Sequence, residues 1–459
     1  MQRIQKWCAE RFEQCFASRT AVLLLTFFML AVFGNIHTRW SKTLFYFFIM
    51  PVQMGMSYLY IRDKAIRMDG VFRLVCVSLL WCLMSTMLNT AWSTGGMITH
   101  WTMLGTWIFA LFVPRQTGMK QVHKELFHAG LIYMICFAPF ILIALYSVFS
   151  GKVIYVLGEH TPVGIQKAGV YGSRIRIMMN PNKIGIILVF DILFAIYGLV
   201  THRKKAWRAY FIFILIINVM ACAHVMSRTS IMGLAAAMGV FGFRVAYRAL
   251  GRKKLLRIFA GLLACVLVFF LVVFAMDWIY EADVALAKWI NNDQQSADVL
   301  SRSDEFGTFD ATSSGRGEIW SGVMQLLREE PSGLALGYGS NDVMQMMADV
   351  TGDPGMAEMV HVHSSYLDCV VRGGIPYLLM VLAFLVILIK PAWQLGVGPA
   401  TEETRGLFVV PMFVVALLVM SVSEVMLFVD KSHTNYLFMM MCGYLLHYRG
   451  LHKEQRLSA

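Results

Sequence analysis

Charge is what this chain has least of. Asp, Glu, Lys and Arg make up 15% of its 459 residues, against 58% hydrophobic residues and a mean hydropathy of +0.61. A soluble chain of this length carries far more charge, so the composition implies an integral membrane protein. Cysteine chemistry is missing too. The nine cysteines include no CxxC pair and no disulfide framework. They lie in or beside apolar segments (Cys76, Cys82, Cys136, Cys222, Cys265, Cys369, Cys442) or near the start (Cys8, Cys15), and read as packing residues. No small-residue cleavage site follows the apolar stretch Thr20–Ile36, which is preceded by basic, aromatic and acidic residues. It reads as a first transmembrane helix and not as a removed signal peptide. Internal repeats and low-complexity tracts are also lacking. The net charge of +12 falls in short clusters between apolar segments, which is the pattern of membrane topology and not of nucleic-acid binding.

What is present is a series of apolar runs. Those long enough to cross about 30 Å of hydrocarbon predict about twelve helices: 20–37, 43–61, 71–89, 97–114, 126–149, 184–201, 209–225, 229–249, 256–276, 366–389, 407–428 and 433–447. Before them, Ile4, Trp7, Cys8, Phe12, Cys15 and Phe16 recur at helical spacing among Arg3, Lys6, Arg11 and Arg19, as in an interfacial amphipathic helix or a simple cytosolic cap. Every second connection is basic. The clusters are Arg62 to Arg73, Arg115 to Lys124, Arg203 to Arg208, Arg244 to Arg257, Lys390 with Arg405, and Arg449 to Arg456. That alternation puts both termini in the cytoplasm. The expected fold is all-α and polytopic, in three segments. Residues 1–276 hold nine spans and the interfacial helix, 277–365 form a long, largely helical extracytoplasmic loop, and 366–459 hold three spans and a cytoplasmic tail. Within the loop, Ile319, Trp320, Val323, Leu326 and Leu327 predict a helix over 315–330, stopped by Pro331-Ser-Gly333.

The extracytoplasmic side collects the residues with chemistry. Two imidazoles lie in His361-Val-His363-Ser-Ser-Tyr366, where the loop meets the next span. Histidine titrates near neutrality and can take a proton from a hydroxyl. Arg174 and Arg176 precede Asn180-Pro-Asn182, Arg228 follows Ser227 between two spans, and Arg316 opens the loop helix. Guanidinium forks suit phosphate oxygens, so these arginines suggest a diphosphate site. Snorkelling to lipid phosphate, or pairing with a loop carboxylate, is the alternative for each. No nucleotide triphosphate is available on that side, so a substrate there must arrive activated.

Ser227-Arg228, Ser314-Gly315-Arg316 with Trp320, Pro331, Gly333, Gly337-Tyr338-Gly339, His361-Val-His363 with Tyr366-Leu, and Gly373-Gly374-Ile375-Pro376 together resemble the O-antigen ligase and polymerase superfamily. Asn180-Pro-Asn182 and the position of the long loop match as well, and the resemblance spans roughly 165–430. It implies a bacterial inner-membrane glycosyltransferase with a periplasmic site. The donor would be an undecaprenyl-diphosphate-linked glycan and the acceptor the lipid A–core, with membrane lipids around the protein and with no metal, cofactor or nucleic acid. By the same resemblance Arg228 and Arg316 engage the diphosphate, His363 activates the acceptor, and His361 is the variable first histidine. Arg174, Arg176, Asn182, Trp320, Tyr338, Tyr366 and Glu424 are candidate substrate contacts, the aromatics being equally readable as core. One departure is Ser364, where the family commonly has Asn, and it puts the local geometry in question.

Other readings stay open. A polymerase would use the same donor, although the HxH motif and Val422-Ser-Glu424 favour a ligase. His361, His363 and Asp368 can be read as zinc ligands, without a convincing third-ligand motif. A transporter would favour deep ionisable residues, of which Asp191 is the main example and has no catalytic account. Glu424 is expected to orient an arginine, and Lys431 and His433 to be exposed turn residues.

Overall fold

The structure, a computed structural model, describes residues 18–30, 45–89, 107–150, 152, 154–155, 162–167, 173–177, 181–225, 227–250, 254–291, 316–339, 341–359, 361–399, 401–428 and 432–458. The N-terminal amphipathic segment lies outside them, as does Lys431. The helices are α1 (Arg19–Phe28), α2 (Met50–Arg62, entered through a π-helical turn Phe45–Ile49), α3 (Gly70–Asn89), α4 (Met119–Ser150), α5 (Pro181–Thr201), α6 (Lys205–Val225), α7 (Arg228–Ala249), α8 (Lys254–Asn291), α9 (Arg316–Glu329), α10 (Ser332–Leu336), α11 (Val343–Thr351), α12 (Ser365–Val397), α13 (Val409–Met420) and α14 (His433–Ser458). Among the described residues eight helices are long and apolar enough to cross a membrane: α3 to α8, α12, and the stretch Glu402–Met420 that ends in α13.

The helical class expected from the sequence holds, with one addition. Between α4 and α5, β1 (Ile154–Tyr155), β2 (Pro162–Lys167) and β3 (Ser173–Ile177) form a small antiparallel sheet in the order β1-β2-β3. Three expected spans, 20–37, 43–61 and 97–114, include residues outside the described set, and 433–447 is helical inside α14. The expected span 256–276 continues as helix to Asn291. Its extension is held to α6 by a buried pair, His224 Nε2 to Asp283 Oδ2 at 3.2 Å, with the Tyr280 ring edge-on to His224.

The chain divides into two compact units. One comprises residues 1–129, 318–392 and 424–459, and the other 130–317 and 393–423. In the first, Glu125 is fully buried but well supplied with partners. Thr20 Oγ1 and Tyr444 Oη each donate to its carboxylate at 2.9 Å, and Arg19 lies 3.9 Å away while donating to the Phe109 carbonyl. A buried pair is tolerable when its remaining hydrogen bonds are met in this way. In the second unit Phe194 packs on Phe413 with centroids 4.7 Å apart, beside Tyr133 and Phe190. Asp191 lies fully buried there, with no hydrogen-bond partner for either carboxylate oxygen among the described residues.

The predicted loop helix is α9, and its predicted apolar face is the buried one: Ile319, Val323, Leu326 and Leu327 form a core with Tyr338, Met344, Met347 and Val362. This core is fastened to α12 at a break. Pro376 has no N–H to offer the carbonyl four residues back, and Gly374 is non-helical, with φ 70°. Three successive carbonyls near the break therefore find donors elsewhere. Val371 O accepts from the Tyr338 N–H at 2.6 Å, Arg372 O from Ser85 Oγ at 2.7 Å, and Gly373 O from Trp81 Nε1 at 2.7 Å. Both Gly374 and Gly337 (φ 73°) need the left-handed freedom of glycine, and neither has room for a side chain: a Cβ on Gly374 would sit 2.7 Å from the Ala335 carbonyl carbon, and one on Gly337 would strike the Gly373 amide.

Removing either side-chain donor should leave a buried carbonyl unmet, at about 1–3 kcal/mol. Trp81→Phe and Ser85→Ala should each lower the thermal unfolding midpoint of the detergent-solubilised protein. Leu80→Ala, on the exposed face of the same helix, should not; equal midpoints for all three would refute the role given to the break.

Candidate functional site

The segment 361–368 is a hook built by local hydrogen bonds. Ser364 caps α12, its hydroxyl accepting from the Leu367 N–H at 3.4 Å. Serine and asparagine are near-equivalent at a helix N-cap, which accounts for the departure at Ser364: the residue type changes and the capping function does not. The next residue makes the stronger anchor. Ser365 Oγ donates to the Glu424 carbonyl at 2.9 Å and accepts from the N–H groups of Met426 and Leu427 at 3.0 and 3.2 Å. One fully buried hydroxyl thus pins the 424–427 turn against the start of α12.

The result is a compact cluster. His363 Nδ1 stands 3.7 Å from Glu424 Oε2, beyond hydrogen-bond length, and has no hydrogen-bond partner among the described residues. His363 itself is in the left-handed region at φ 51°, which costs an L-residue on the order of 1–2 kcal/mol. His361 supports that conformation: its Nδ1 accepts the His363 N–H at 3.3 Å, and the two rings meet edge to face at 4.2 Å. Since Nδ1 accepts, the proton of a neutral His361 is on Nε2. Strained non-glycine backbone concentrates at functional sites, and here Phe428, at φ 66°, is a second instance close by, packed against Tyr366 at 6.3 Å between centroids.

Other predicted residues take varied places. Trp320 is partly buried and its indole N–H donates to the Val362 carbonyl at 3.1 Å, holding the HxH strand onto α9. Tyr338 is a core residue, 3% exposed, and its hydroxyl donates to the Glu330 carbonyl at 2.9 Å. Burial and the nearby Glu330 push that phenol up to about 12. His433, expected as an exposed turn residue, is buried, at the start of α14. Asp368, read as a possible third zinc ligand, pairs instead with Arg372 at 3.5 Å. Glu424 takes that place: one ligand atom from each of His361, His363 and Glu424 lies within 4.8 Å of the others. Two imidazoles and a carboxylate suit a divalent transition metal, and equally suit a histidine base steadied by a carboxylate.

In the second unit the Arg228 corner is equally well built. Ser227 caps α7, its Oγ accepting from the Ser230 N–H at 3.4 Å and from Ser230 Oγ at 3.0 Å, and donates to Asn182 Oδ1 at 3.1 Å. Asn182 therefore braces the turn from which Arg228 projects exposed. Thr229 Oγ1 bonds Ser423 Oγ at 2.8 Å. Arg316 opens α9, and Arg174 and Arg176 lie in β3 opposite Gln166 and Gly164 of β2. Ser365, Trp81, Ser85 and the His224–Asp283 pair escaped the sequence reading. The first had a signal in its place beside the HxH motif; the others carry none.

Residues 211–382 match the O-antigen ligase family (Wzy_C), which supports membership of the O-antigen ligase and polymerase superfamily. The matched stretch contains Arg228, Arg316, Trp320, Tyr338, His361, His363, Tyr366 and the Gly373-Gly374 break; Arg174, Arg176, Asn182 and Glu424 fall outside it. No curated protein matches the chain. The eight membrane-length helices fit a multi-pass membrane protein, and the matched stretch is similar to the O-antigen ligase family.

Ser365→Ala leaves two amide donors and one acceptor of the turn without their partner, and should destabilise it by about 1–3 kcal/mol. Hydrogen exchange should show faster exchange at Met426 and Leu427 in the variant. Unchanged protection there would refute the anchoring role of Ser365.

Proposed function

We propose that the protein transfers a glycan from a polyprenyl-diphosphate carrier to the lipid A–core in the periplasm. On this reading the chain crosses the bacterial inner membrane about twelve times, with both termini in the cytoplasm. The observation that carries the proposal is the family match over a stretch holding Arg228, Arg316 and His363. His363 takes the proton of the acceptor hydroxyl as that oxygen bonds to the anomeric carbon. The bond from that carbon to the diphosphate oxygen breaks in the same step, and the diphosphate leaves with its electron pair. The configuration inverts, and no covalent intermediate or metal is needed. Arg228 and Arg316 stabilise charge growing on the leaving diphosphate, an interaction strongest in the transition state. Glu424 orients the imidazole and balances the imidazolium that forms.

Polymerisation onto a second carrier-linked chain is the alternative, because the donor chemistry is the same. Purified protein given carrier-linked glycan and lipid A–core should yield glycan-bearing lipid A–core. Lengthened carrier-linked chains alone would mean a polymerase. His363→Ala should lower the transfer rate by about 10²–10⁴-fold, while membrane insertion is retained; normal activity in that variant would remove His363 as the base.

Treatment with a strong chelator should leave the wild-type rate unchanged. A loss of activity restored by zinc would instead assign His361, His363 and Glu424 to a metal.

A further inference from the structure

At one end of the first unit a cavity of about 440 Å³ gathers Arg67, Arg115, Arg449 and Lys453. These residues come from three stretches far apart in sequence, two connections and the later part of α14, each in one of the basic clusters that charge alternation places on the same side. Among the described residues the cavity has one acidic residue, Asp69, which caps α3: its Oδ1 accepts from the N–H groups of Val71 and Phe72 at 3.0 and 3.3 Å. His447 Nε2 is bonded to the Thr117 carbonyl at 2.6 Å. Four cationic side chains therefore border this space against one described carboxylate. Arg67 lies against Gly450, where any side chain would collide with its guanidinium. The rest of the wall is apolar, from Leu111, Phe112 and Leu446, and α3, whose first residues line the cavity, runs on as a membrane-length helix.

We propose that this cavity binds the phosphate headgroup of an anionic phospholipid of the cytoplasmic leaflet, with the first part of the acyl region on its apolar wall. A cationic rim over an apolar wall at the start of a spanning helix fits a ligand that is anionic at one end and greasy at the other. A free phosphate would leave the apolar wall uncovered. Anionic lipids on the cytoplasmic side are attracted by each nearby cation. The inference concerns a different site from the glycan chemistry and does not depend on it.

The full-length protein in mild detergent, examined by native mass spectrometry, should retain one added phosphatidylglycerol or cardiolipin and not phosphatidylcholine. Arg115→Gln with Arg449→Gln should weaken that binding about thirtyfold, from the loss of two cations. The same two positions changed to Lys should keep most of it. Arg203→Gln with Arg208→Gln, in another basic cluster, should have no effect. Size-exclusion profiles check folding, and if the double glutamine variant fails to fold, Lys453→Gln at the exposed rim should still weaken binding several-fold. Equal binding of phosphatidylcholine, equal loss in the Arg203 and Arg208 variant, or binding of inorganic phosphate in place of lipid would each overturn the proposal.

Discussion

The break in α12 at Gly374 is the constraint on which the core around α9 in the first unit rests. A helix interrupted near membrane depth exposes carbonyls that hydrocarbon cannot satisfy. Here the indole of Trp81, the hydroxyl of Ser85 and the amide of Tyr338 satisfy them. Arg372 adds bonds from its side chain to the carbonyls of Gly339 and Asn341. The same requirement that closes the break thus fastens the loop core to α3 and α12, and so sets where the HxH hook stands. The two glycine motifs are explained together, because Gly337 and Gly374 pass backbone to backbone where a methyl group does not fit.

Much of this could be read in the sequence, for identifiable reasons. α9 announced itself because its apolar face repeats at helical spacing, and that periodicity survives in any environment. The start of α12 was marked by serines of the kind that cap helices. Eight of the twelve expected spans are, among the described residues, helices long and apolar enough to cross a membrane. α8 runs past its apolar stretch, held by the His224–Asp283 pair that no periodicity shows, and α13 stops at Met420, short of the expected 428. Asp191 was noticed as a deep charge, and its burial is now plain, but its purpose is not visible in its surroundings. The sheet of β1 to β3 was missed because its strands are short and carry no clear alternation. Glu424 was assigned to an arginine because a carboxylate among arginines suggests one; its closeness to His363 depends on Ser365, fifty-nine residues away.

The chemistry at the hook follows from how little freedom it has. His363 is held at a backbone angle few residues adopt, its N–H is taken by His361, and the next two residues are tied down by capping and by the 424–427 turn. Such fixation removes positional freedom before any ligand arrives. The Arg228 corner follows the same design, with Ser227 and Asn182 fixing the backbone and leaving the guanidinium exposed. In both places small polar residues set the position and a single longer side chain is presented.

The meeting of Tyr338 with Val371 has one more consequence. It makes the intervening chain a closed excursion whose two ends meet at one point. Within it, the outer face of α11 and the turn at Pro354–Glu358 bear no part of the fastening. Insertions and surface changes there can accumulate while the break and the hook keep their places.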